Sequence, residues 1–349
     1  MTRRRVRATF TAMWAGFEPW IALAIVLLAA DLSGSMATRV RCPQALVAIA
    51  FGTGIARISQ AVAVPASHVH LRALTVLAVG FVAVVFGMRL ATQPRGARGP
   101  IAHATIETLL VVPLVALAIG SRVPGVVALL LGLVAVSTAA DGVLRAAHAA
   151  GDVVRARNVM PVAFADALFS ITLATVAALE IARSRGASGA PGDLWAVLIA
   201  CAVGPAIALQ RGPRAVDLQG KLTRLSRLAL GIMGVVAGAA LDLATLLPAL
   251  VLALVVCAAR LAGKWAATSF VRWRARRKPG EPEEAVLASG IALAPGGLLS
   301  VGIVLLVRDA PGLADSRDLL LGIAVWVAAL DSIVGGALAK LAFARQSSA

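Results

Sequence analysis

The sequence predicts an all-α polytopic membrane protein of about eleven transmembrane helices, built as inverted repeats with two interrupted crossover helices. Three observations predict it. Hydrophobic residues make up 60% of the chain and charged residues 14%, the balance of a protein that lives in a bilayer. The apolar residues fall in runs of membrane-spanning length separated by short polar loops, and no segment alternates with the period of a strand. Two of the runs carry hydroxyl or helix-breaking residues near their middle, and each is followed by a run with an acid inside it.

In chain order, the opening MTRRRVRATFTAMW is a basic cluster followed by Glu18 and Pro19. No small-residue cleavage site closes a short apolar core, so residues 1–17 read as a retained basic segment. A first half, 18–183, holds expected spans at 18–37, 43–61, 71–92, 102–120, 123–147 and 159–182. A second half, 184–349, holds spans at 194–210, 225–242, 245–267, 284–307 and 318–343; the break at 242–245 rests on Asp242 alone. The loops leave no room for a soluble domain. There is no nucleophile–base constellation, metal-ligand cluster or phosphate loop, so an enzyme is not expected. Cys42, Cys201 and Cys257 lack CxxC spacing and read as small packing residues.

The formal charge is +16, from 33 basic and 17 acidic residues. These residues lie between apolar runs, so the expected partner is the lipid bilayer and not nucleic acid. One face collects Arg39 and Arg41, Arg95 and Arg98, Arg155 and Arg157, Arg211, Arg214, Lys221 and Arg224, and RWRARRK at 272–278. That face is expected to be cytoplasmic, together with the C-terminus, in a bacterial-type inner (plasma) membrane. The opposite face takes Arg122, Arg183, Arg185, Arg317 and the N-terminal arginines, the last against the local rule.

The functional expectation centres on Asp166, in PVAFADALFSITLATVAALEI, well inside the apolar run from Asn158 to Ile181. A carboxylate there must be neutralised by a partner, a cation or a proton, and the last two exclude one another. The preceding span, VVALLLGLVAVSTAADGVLRAAH, puts Ser137, Thr138 and Asp141 on one helical face. Their oxygens suit a hard cation; alternatively the hydroxyls back-bond within the helix and Asp141 pairs with Arg145. Arg260 and Lys264 share one face of the ninth span and either remain buried or snorkel to the cytoplasmic interface. Pro295, Gly296 and Gly297, with Ser300 beyond them, either break their helix and expose carbonyls to an ion or simply kink it. Asp31 and Asp331 suit interface or helix-pairing roles, Glu107 receives no role, and His68 and His70 read as ordinary loop histidines. The second pair of polar and acid-bearing spans begins five spans after the first, an odd offset that inverts it in the membrane. This is the pattern of a secondary transporter.

These residues resemble a known family. GLVAVSTAADGVLRAAHAAG followed by ARNVMPVAFADALFSITLA is similar to the core of the monovalent cation:proton antiporter superfamily, in the branch of sodium/proton exchangers and glutathione-gated potassium-efflux systems. RVRCPQALVAIAFGTGIA, VLAVGFVAVVFGMRLATQ, LALGIMGVVAGAALDLATL, VVCAARLAGKWAA and LASGIALAPGGLLSVGIVLL resemble its other spans in order, over roughly 20–345. The resemblance implies Na⁺ or K⁺ exchanged for protons, with Asp166 and Thr138 holding the cation and a buried lysine near Lys264 neutralising the empty aspartate. It implies no resident cofactor, and a homodimer joined through the early spans. The chain departs from the pattern in four ways. Ala165 stands where an Asp, Asn or Gln usually precedes the essential aspartate, and Gly296 or Gly297 where an Arg is usual. The middle of the chain is shorter, and no nucleotide-binding domain is expected after the last span. A reduced or divergent member therefore fits, and so does a non-transporting scaffold subunit of a larger membrane complex. A channel-like pathway is the third alternative. With Ala165 in place, Asp166 alone predicts one-for-one, electroneutral exchange.

Overall fold

The computed structural model describes residues 3–40, 42–62, 68–93, 98–185, 192–212, 214–276, 292–294 and 296–347. Among them every regular element is helical: α1 (Arg3–Val40), α2 (Gln44–Val62), α3 (His68–Ala91), α4 (Arg98–Ile119), α5 (Gly125–Ala135), α6 (Ala140–Ala150), α7 (Val153–Ser184), α8 (Gly192–Arg211), α9 (Arg214–Ala239), α10 (Leu246–Arg276), α11 (Leu298–Val307), α12 (Arg317–Leu330) and α13 (Gly336–Ser347). Eight long apolar helices, one bent pair and two shorter apolar helices occupy the eleven expected positions. A helix satisfies its own backbone, which is what hydrocarbon demands.

Several helices outrun their apolar windows. α9 starts at Arg214, ahead of the run expected from 225, and α1 and α7 start at Arg3 and Val153. Ala, Leu, Arg and Lys are good helix formers, so the helix continues past the point where hydropathy stops. The corner expected near Asp242 is present. The Asp242 carboxylate accepts from the Ala244 amide at 3.0 Å, capping the 3₁₀ turn Leu243–Thr245 that opens α10.

Small residues set the close packing. On α2 and α9, a Cβ on Gly52 would fall on the Val235 carbonyl and one on Gly238 on the Ile49 carbonyl, so the two backbones touch. The two sequence halves interleave, since α4 packs on α10 and α3 on α8.

The break in the fifth span and the described non-helical residues before α11 both lie in the bundle interior. The fifth span stops at Ala135, resumes at Ala140 and bends by 42°. Asp141 sits in the first turn of α6, where a negative charge suits the helix N-terminus. α11 has only 10 residues and is preceded by extended chain at Gly297. Pro295 and the stretch 277–291 lie outside the described residues. The two interruptions meet: the Ser137 and Ser300 hydroxyls are 2.7 Å apart, and a Cβ on Gly297 would lie 2.9 Å from the Ala139 Cβ.

Arg260, on α10, holds this crossing together. Its guanidinium donates to Ala135 O at 2.7 Å and Ser137 O at 2.9 Å on one side, and to Ala294 O at 2.5 Å on the other. Asp331, 3.1 Å away, balances its charge from the π-helical turn Asp331–Gly335 between α12 and α13. Both residues are buried, so neither snorkels.

Two outcomes follow for stability. Gly238→Ala should destabilise the protein by about 1–3 kcal/mol through overpacking, whereas Gly54→Ala, whose Cβ meets nothing within 4 Å, should be close to neutral. Arg260→Met should cost about 3–5 kcal/mol, because Asp331 and three carbonyls lose their buried partner. Thermal unfolding in detergent measures each.

Candidate functional site

Asp166 is fully buried on α7. Ala163, Ala167 and Ala174 line the same buried face and let neighbouring backbones approach. Ser170, one turn on, donates to Leu133 O at 2.7 Å and fixes α7 against α5. The Asp166 carboxylate thereby meets the interruption of the fifth span, where the Thr138 hydroxyl donates to its Oδ2 at 2.7 Å. Its Oδ1 is buried and has no hydrogen-bond partner among the described residues.

Lys264 reaches the same point from α10, one turn beyond Arg260, and is also fully buried. Its Nζ donates to Val136 O at 3.0 Å and to Thr138 Oγ1 at 2.8 Å, and lies 3.4 Å from Asp166 Oδ2. It donates as well to Glu107 Oε1 of α4. Glu107 is fully buried, its Oε2 has no hydrogen-bond partner among the described residues, and His103 Nε2 lies 3.7 Å from that oxygen. Two acids and one amine thus share one fully buried cluster. The Arg260–Asp331 pair beside them is already balanced.

The expected site residues separate into three groups. Asp166, Thr138 and Lys264 come together as one hydrogen-bonded cluster. Ser137, Ser300, Arg260, Gly296 and Gly297 form the adjoining crossing. Gly296 is required there, because any Cβ would run into the Asp331 carboxylate. Asp141 belongs to neither group. It is half-buried, and no hydrogen bond or ion pair joins it to Asp166 or Arg145 among the described residues. The interruption between Ala135 and Ala140 takes Ser137 and Thr138 out of the helix and breaks the register expected to align them with Asp141.

Glu107 and His103 are the groups the sequence reading left out. An acid inside an apolar run is itself a signal of a buried partner. Glu107 went unassigned because that partner, Lys264, is 157 residues away.

No family model and no curated protein matches the sequence. Among solved structures, the sodium proton antiporter MjNhaP1 from Methanocaldococcus jannaschii, at pH 8, aligns with a TM-score of 0.65 at 13% identity. The alignment covers 93% of this chain and 98% of that one. At that identity the likeness is one of architecture: the chain is an integral membrane protein that shares the fold of that solved structure.

Proposed function

We propose that the chain is a secondary transporter that exchanges Na⁺ or K⁺ for protons at Asp166. The observation that carries the reading is the Asp166 carboxylate itself, fully buried at a helix interruption with one oxygen bonded to Thr138 and the other unpartnered among the described residues. The fold shared with a sodium proton antiporter supports it. Asp166 Oδ1 and Thr138 Oγ1 offer oxygen ligands to a hard monovalent cation. A proton on the same carboxylate neutralises the same charge, so the two ligands compete. Either one brings the Glu107, Asp166 and Lys264 group to neutrality, and one-for-one exchange then moves no net charge. No resident cofactor takes part.

In this reading the protein is multi-pass in a bacterial-type inner membrane, with its C-terminus cytoplasmic. It pairs as a homodimer through the early spans, where Ile25, Leu28, Leu32 and Met36 form an exposed apolar face on α1. The second reading, a non-transporting scaffold, is favoured by a different observation. Arg260 and Lys264 already occupy the carbonyls of Ala135, Val136, Ser137 and Ala294, which leaves fewer oxygens for an ion.

Reconstituted protein should exchange Na⁺ or K⁺ for protons without responding to an imposed membrane potential, and Asp166→Asn should abolish the flux. Flux surviving that substitution would remove Asp166 from the mechanism, and potential-driven exchange would sink the one-for-one stoichiometry. Absence of flux from well-folded wild-type protein decides for the scaffold. For the dimer, Leu32→Cys should cross-link between protomers in membranes, and a monomer by native mass measurement would contradict the pairing.

A further inference from the structure

We infer that Glu107 is the standing counter-ion of Lys264, a positioning residue that takes the lysine's charge away from Asp166 and so leaves Asp166 to the transported ion. The inference rests on the exchange reading of Asp166 and adds a second carboxylate that neither the sequence motif nor the fold likeness assigns.

The geometry behind it is specific. Lys264 donates directly to Glu107 Oε1, while Asp166 Oδ2 is farther off at 3.4 Å. The ammonium is therefore held mainly from the α4 side. Its remaining bonds, to Val136 O and Thr138 Oγ1, are to neutral groups. The charged and titratable groups around Glu107 can be named for each helix packed on α4. α10 supplies Lys264 and Arg260, α7 supplies Asp166, α4 itself supplies His103, and α5 is wholly apolar. Arg260 is committed to Asp331, so Lys264 is the cation available to Glu107.

Charge counting then gives Glu107 its role. With both acids ionised and Lys264 protonated, the three groups carry one net negative charge and accept one cation or one proton. Without it, Lys264 and Asp166 cancel, and a cation entering the site leaves an uncompensated positive charge in a dry interior. Binding then requires Lys264 to release its proton. Thr138 sits between the two chemistries, accepting from Lys264 and donating to Asp166, so a change at Glu107 is passed directly to the ion site.

The test uses the full-length protein with Na⁺ and K⁺ as probes, and reads both the cation KM for exchange in proteoliposomes and the rise in unfolding temperature that each cation produces in detergent. Glu107→Gln should raise the KM about tenfold or more at neutral pH, since a unit charge a few Å away at an effective dielectric near 20 alters binding by more than that factor. Glu107→Asp should recover much of the wild-type KM. The decisive variant is Glu107→Gln/Lys264→Met, which restores one net negative charge and should bind cations better than the single variant. It also covers the case in which Glu107→Gln alone fails to fold. An unchanged KM in well-folded Glu107→Gln, or a double variant with no better cation response than the single one, overturns the inference. Cation stabilisation that is lost in the single variant and regained in the double, without flux in the wild type, keeps the inference and rejects transport. Neither flux nor stabilisation in the wild type rejects both.

Discussion

The architecture depends on one guanidinium. Non-helical chain in hydrocarbon frees carbonyls that cannot find water, and here the break in the fifth span meets the non-helical residues that lead into α11. Arg260 answers both. Its planar, many-donor head reaches carbonyls on either side of the crossing, and Asp331 removes the cost of burying its charge. A lysine there could not do the same, because a single ammonium cannot span carbonyls on two chains in a fixed plane. Everything near the crossing takes its position from this clamp, including the hydroxyl that Thr138 aims at Asp166.

Two electrostatic units with different accounts stand side by side. Arg260 and Asp331 cancel each other's charge as an ion pair at 3.1 Å. Lys264 stands between two acids, Glu107 and Asp166, each of which keeps one buried oxygen without a hydrogen-bond partner among the described residues. The two cations lie one helical turn apart on α10, so a single rigid helix supplies both the structural clamp and the partner of the ion site. Tight backbone contacts through Gly52 and Gly238 hold the remaining helices around that core without polar cost.

The sequence made the spans legible because hydrocarbon selects on hydropathy and length, and all eleven positions carry apolar helices. Helix ends were less legible. α9 begins at Arg214 because helix propensity ignores the membrane boundary that hydropathy marks. Asp166, Thr138 and Lys264 could be picked out because each is a polar group inside an apolar run, and the family resemblance ordered them. Asp141 falls apart from the two hydroxyls for a local reason: the chain is non-helical between Ala135 and Ala140, so spacings of three and four no longer define one face. Glu107 was missed for a distant one, since its partner lies on the other half of the chain.

That omission changes what Ala165 means. In linear order, Ala165 beside Asp166 leaves a single carboxylate at this point of α7. Low dielectric, however, responds to charges by distance in space and not by place in the chain. Glu107 on α4 brings a second carboxylate to the cluster through Lys264, while Ala165 stays fully buried in the packing of α7. A second acid is therefore present, displaced to the far side of the lysine, which it contacts from α4. A cluster built this way retains two acids and one base, and under the proposed exchange Asp166 is the acid left to face the ion.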